Sequence, residues 1–118
     1  MIKLNTPFVL NTRGDSLWSS KAAEVRVTKL DLAYVSDDNE FGELRVYFDR
    51  RTWNVEKDGL IYTDSLFIRE LRKLLKTLDL AGGSVDYSEQ GLQGTNYVSC
   101  DVGKSFIKSW IKKVSVTV

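Results

Sequence analysis

Three carboxylates, Asp86, Glu89 and Asp101, lie in and beside the stretch YSEQGLQGTNYVSCD (residues 87–101), with Tyr97 and Cys100 close by. A pair of carboxylates can divide acid and base work, and carboxylates joined by carbonyls can hold magnesium. The spacing here specifies neither role. Histidine, the commonest general base and transition-metal ligand, is absent from the chain. The one cysteine, Cys100, rules out a disulfide framework and a thiolate-rich metal site within one chain. It shares the parity of Val98 and Val102, which predicts a buried small hydrophobe rather than a reactive thiolate. No catalytic residue, metal or cofactor is assigned on these grounds, and a small carboxylate-dependent enzyme is kept as the second alternative.

Binding chemistry is better represented. Tyr87, Glu89, Gln90, Gln93, Asn96 and Tyr97 supply donors and acceptors, while Gly91 and Gly94 permit positive φ or close approach of another backbone. Such a loop can read a small polar ligand or a protein main chain, or merely satisfy a long hairpin connection. A second constellation, RVYFDRRTW, interleaves Arg45, Tyr47, Arg50, Arg51 and Trp53. Rings on an exposed strand face stack on bases while arginines meet phosphates, so this run is the nucleic-acid candidate. Asp49 interrupts the positive stripe, and Trp53 is expected in the core. Lys104, Lys108 and Lys112 recur every four residues and read as the wet ridge of an amphipathic helix.

Three short motifs fail on spacing or specificity. The GKS at 103–105 has Val98, not glycine, five positions earlier, which excludes a phosphate-binding loop; Ser105 and Lys104 instead suit a helix start. SDDNEFGE, which gathers Asp37, Asp38, Asn39, Glu40 and Glu43, has phenylalanine at the fifth and twelfth positions from Asp37, where a calcium loop requires oxygen ligands, so it reads as a solvated hairpin tip, with an acidic contact surface for a basic partner as the alternative. The RGD at 13–15 reads as part of a connection.

The elements that must position these residues follow from periodicity. IKLNTPFVL suits a short edge strand, where Pro7 is tolerated. EVRVTKLDLAYV places Val25 and Val27 on one face and Leu30, Leu32 and Tyr34 at the opposite parity, a change one bulge absorbs. SDDNEFG connects it to ELRVYFD, where Leu44, Val46 and Phe48 alternate with Arg45, Tyr47 and Asp49. A turn at Asp58-Gly59 and a further apolar run, Leu60 to Tyr62, complete a meander. A helix is predicted from Asp64 or Ser65 onward, with Phe67, Leu71, Leu74, Leu75 and Leu78 repeating at three and four residues and Gly82-Gly83 ending it. SVDYS and NYVSCDV read as paired strands, KSFIKSWIKK as a short second helix, and VSVTV as a terminal strand. The expected fold class is α+β: a single domain over 1–118, mainly antiparallel sheet with two helices packed on one face.

Composition agrees with a soluble globular domain: 42% hydrophobic, 28% charged, and 17 Lys and Arg against 16 Asp and Glu. No apolar run is long enough to span a bilayer and no signal peptide is read at the start, so no membrane partner and a cytoplasmic location are expected. The unprotected apolar alternation of VSVTV suggests a homodimer through a C-terminal strand. The runs LRVYFDRRTWNVEKDGLIYTDSLF and VDYSEQGLQGTNYVSCDVGKSFIKSW resemble small uncharacterised proteins of bacteriophages and prophages. That resemblance implies a binder that occupies a host protein or a small signal molecule. The expected function is therefore non-catalytic binding through the 87–97 loop and neighbouring surface, as a phage accessory factor that inhibits or modulates a host protein or sequesters a small polar signal molecule. Single-stranded nucleic-acid binding through Arg45, Tyr47, Arg50 and Arg51 is the alternative.

Overall fold

A computed structural model describes residues 2–15, 22–80, 85–90 and 96–116, with backbone alone at residues 3, 5–7, 55–56, 85–90 and 115–116. Five strands, β1 (Ile2–Asn11), β2 (Glu24–Val35), β3 (Phe41–Phe48), β4 (Val85–Gln90) and β5 (Tyr97–Gly103), form one sheet in the order β1-β2-β3-β5-β4, every neighbouring pair antiparallel. The one-turn helix α1 (Val55–Asp58), α2 (Ser65–Thr77) and α3 (Lys104–Val116) complete the described elements. The alternation read from the sequence sorts the sheet into two faces. Leu10, Val25, Val27, Leu30, Leu44, Val46, Phe48, Val98, Cys100 and Val102 join Phe67, Leu71, Leu74 and Leu75 of α2 and Phe106, Ile107 and Trp110 of α3 in one buried cluster. Both long helices therefore cover the same face, as the α+β expectation requires. The other face is left to Glu43, Arg45, Tyr47, Tyr97 and their neighbours.

The expected bulge in β2 lies between Val27 and Lys29, and a second shift follows between Leu32 and Tyr34. The sequence reading set Tyr34 with Leu30 and Leu32; the second shift instead pairs Tyr34 with Glu43 and turns it out, 52% exposed. β1 is longer than expected, and its register breaks between Lys3 and Phe8, around Pro7.

Three further expectations are corrected. Leu60 to Tyr62 is not a strand: β3, the strand that precedes it, already has both edges taken by β2 and β5, so the run cannot extend the meander beside it, and Ile61 enters the core by its side chain. Nearby, the Trp53 indole is buried as expected and its Nε1 donates to the Gly59 carbonyl at 2.8 Å. α2 does not run to the glycines. It stops at Thr77, and Asp79 takes the left-handed conformation at φ 57° while Leu80 N and Asp79 N donate to Leu75 O and Lys76 O. This is a Schellman closure with Leu80 buried behind it, made by an aspartate; Gly82 and Gly83 lie outside the described residues. Finally, Val114 to Val116 continue α3 rather than forming a strand. Val114 falls on the stripe begun by Phe106 and Trp110 and packs against the core, so extending an existing helix wins over an isolated alternation. The strand edge expected to support a homodimer is thus absent through Val116.

The N-terminus of α2 is the most heavily tied point. Asp64, fully buried, caps its own helix by accepting from Leu66 N and Phe67 N, both at 3.1 Å. The same carboxylate accepts from Arg13 N and Gly14 N, at 3.0 and 2.8 Å. In return Asp15 accepts from the backbone and hydroxyl of Ser65. The RGD tripeptide is thereby bound into the fold, with Gly14 at φ 82° making the turn.

Candidate functional site

The strands set residues in rows across the face opposite α2 and α3, which carries no helix among the described residues. In one row Lys29, Tyr47 and Tyr97 are register partners; in the next, Asp31, Arg45 and Ser99; in the third, Tyr34, Glu43 and Asp101. Glu89 and Asp86 of β4 continue the second and third rows as the partners of Ser99 and Asp101. Residues on one face of a strand recur about every 6.8 Å and strands lie about 4.8 Å apart, so the β2, β3 and β5 side chains of a row meet although they come from distant parts of the sequence, while β4 is placed beside them by backbone register alone.

At the centre the Tyr47 and Tyr97 rings lie 5.4 Å apart at 55°. The Lys29 ammonium sits 4.5 Å from the Tyr47 centroid and the Arg45 guanidinium 4.7 Å from that of Tyr97. Each cation faces the negative side of a ring quadrupole. Arg45 is held further: its Nε donates to Glu43 Oε1 at 2.8 Å, while Ser99 Oγ donates to Glu43 Oε2 at 2.9 Å. Hydrogen bonding with Tyr47, and then with Glu43, raises the Arg45 pKa above its ordinary value. Chemically this is a preorganised surface, with planar groups and charges of both signs fixed in register.

The two candidate sets of the sequence are partly merged by this geometry. Arg45, Tyr47 and Tyr97 come together. Asn96, 7% exposed, sits at the start of β5, where its carbonyl accepts from Phe48 N at 3.0 Å. Tyr87, Glu89 and Gln90 belong to strand β4 rather than to a loop, and Gln93 lies outside the described residues. Arg50 and Arg51 stand in the turn beyond β3, away from the ring pair in register. Arg51 folds back on Asp49, its Nη2 2.7 Å from Oδ2, and that bond pulls the Asp49 pKa down to about 2. Cys100 is fully buried, and burial first, then Asp101 and Glu43, push its thiol pKa well up. It offers no nucleophile.

Lys29, Ser99, Tyr34 and Phe41 were missed as site residues, and Glu43 was read only with the acidic hairpin tip. The alternation Phe41, Glu43, Arg45, Tyr47 was visible in FGELRVYF, but their partners depend on registers, two bulges and a long-range pairing that no local pattern displays. Among the described residues no group of three or more histidine, cysteine or acidic side chains could hold a metal, and no helix is long and apolar enough to cross a membrane. Compared with family models, curated proteins and solved structures, the chain shows no match.

Proposed function

We propose that this is a non-catalytic binding protein that engages a protein partner through the helix-free sheet face. The observation that carries this reading is the Tyr47–Tyr97 pair held between Lys29 and Arg45. Tyrosine and arginine are over-represented where protein partners bind most strongly, because each offers wide contact area and a polar end. Their mutual fixing also reduces the ordering cost of association. In keeping with the resemblance to phage proteins, the partner would be a host protein met in the cytoplasm.

Single-stranded nucleic acid is the competing occupant, favoured by the ring pair alone. Against it, Lys29 and Arg45 already occupy ring faces, and three carboxylates, Asp31, Glu43 and Asp101, share the surface with those two cations. The expected gel-shift result is no retardation of single-stranded oligonucleotides at about 150 mM salt; phosphate-driven affinity that falls steeply with salt would favour the competitor. The direct test places a photo-crosslinking residue at Asp101, exposed on the open face, and separately at Lys108 on the helical side. Crosslinks to a protein are expected from position 101 and should be lost in Arg45→Glu. Crosslinks from position 108 alone would overturn the reading.

A further inference from the structure

Two of the rings on the open face carry a cation supplied by this chain, whereas Tyr34 and Phe41 carry none among the described residues. These two form a tilted pair, centroids 5.8 Å apart at 44°, and are 52% and 57% exposed. Phe41 opens the same alternation that leads through Glu43 and Arg45 to Tyr47, about 20 Å along the strand. Asp37, Asp38 and Glu40 are exposed at the hairpin tip beside the pair, and Glu43 and Asp101 face one another behind it. Lys104, which follows Gly103, the register partner of Phe41, reaches Glu40 at 3.6 Å.

From this we infer that the Tyr34–Phe41 pair is the docking point for an arginine or lysine side chain carried by a basic segment of the partner. The inference rests on the reading of the open face as a protein-binding surface and names the partner's chemistry. A cation over a ring gains from the quadrupole, and carboxylates around it add charge complementarity that a neutral or acidic segment lacks.

The tip is built to hold this geometry before binding. Ser36 Oγ donates to Asp38 Oδ1 at 2.7 Å and accepts from the amides of Glu40 and Phe41, both at 3.1 Å. Asn39 makes the turn at φ 57°. Gly42 lets β2 and β3 close together: a Cβ there would meet the Tyr34 carbonyl at 2.5 Å. That approach is what brings Tyr34 over to Phe41.

The test titrates isotope-labelled full chain with three heptapeptides, one arginine-rich, one with citrulline in place of each arginine, and one glutamate-rich, following backbone amide shifts. The arginine peptide should move Tyr34, Phe41 and Gly42 saturably, and the citrulline peptide should bind about two- to fivefold more weakly per arginine engaged at an exposed ring. Phe41→Leu and Tyr34→Leu keep apolar bulk but remove the ring, so each should weaken the arginine peptide by a similar factor while leaving distant amides unmoved. Equal binding of arginine and citrulline peptides, or unchanged binding by both leucine variants, would overturn the inference. If crosslinking from position 101 persists in that case, the open-face reading stands without it; crosslinking from position 108 alone overturns both.

Discussion

A single carboxylate, Asp64, closes two structural problems at once, the free amides of a helix start and those of the 13–15 turn. Asp64→Ala removes a cap and strands buried donors, and should cost about 3 kcal/mol in urea unfolding. Asp64→Asn keeps an acceptor and should cost less, an order that chemical denaturation of the three proteins checks directly. Cys100 is the opposite kind of residue, chemically capable but sealed. Native protein should resist iodoacetamide at pH 8 and be alkylated only after denaturation, since burial both excludes the reagent and suppresses the thiolate. Rapid native labelling, read by intact mass, would contradict the register of β5. The Cys100 position was legible because parity alone decided it. The doubled role of Asp64 was not, because half of its partners lie some fifty residues upstream.

Elements were readable where a strong period met an uncontested environment. The β3 alternation and the apolar spacing of α2 are of that kind, since each satisfies its core face without reference to the rest of the chain. Reading failed where neighbours decided: both edges of β3 were taken before Leu60 to Tyr62 could pair with it, and Val114 to Val116 were captured by a helix already under way. The Schellman closure of α2 shows a compromise in composition. Asp79 adopts a left-handed conformation that glycine would take with less steric penalty, so Asp79→Gly should raise stability by about 1 kcal/mol, seen as a higher urea midpoint at constant slope. Gly42→Ala should do the reverse, costing about 1–3 kcal/mol, because the added methyl meets backbone rather than a yielding side chain. That variant should also shift the amide signals of Tyr34 and Phe41, tying the close strand approach to the shape of the surface tip.

For the whole molecule, the lack of histidine and the low-lying aspartates fix the pH response. Asp49 has its pKa drawn down by Arg51, and Asp15 and Asp38 theirs by hydrogen bonds from Ser65 and Ser36, so the folded values lie below the unfolded 3.8. Their contribution is complete above that value and is lost as pH falls through the folded values, which for Asp49 is about 2. Urea midpoints should accordingly be nearly flat from pH 5 to 7 and decline only in acid; a step near pH 6 would contradict a chain without imidazole. The α+β class could be read from element order, but the site could not, because its rows join β2 and β3 to β5 across the intervening α1, α2 and β4.

The sheet order has a kinetic corollary. β2 and β3 can zip as a hairpin, yet β5 must travel back past β4 to reach β3, joining Phe41 with Gly103 at the far end of the ladder. Closing so long a loop is slow, and the Tyr47–Tyr97 surface does not exist until it is done. Anything seated across that seam acts as a rivet: it would retard opening of the whole sheet rather than stiffen one hairpin, and its residence would be recorded in the unfolding rate.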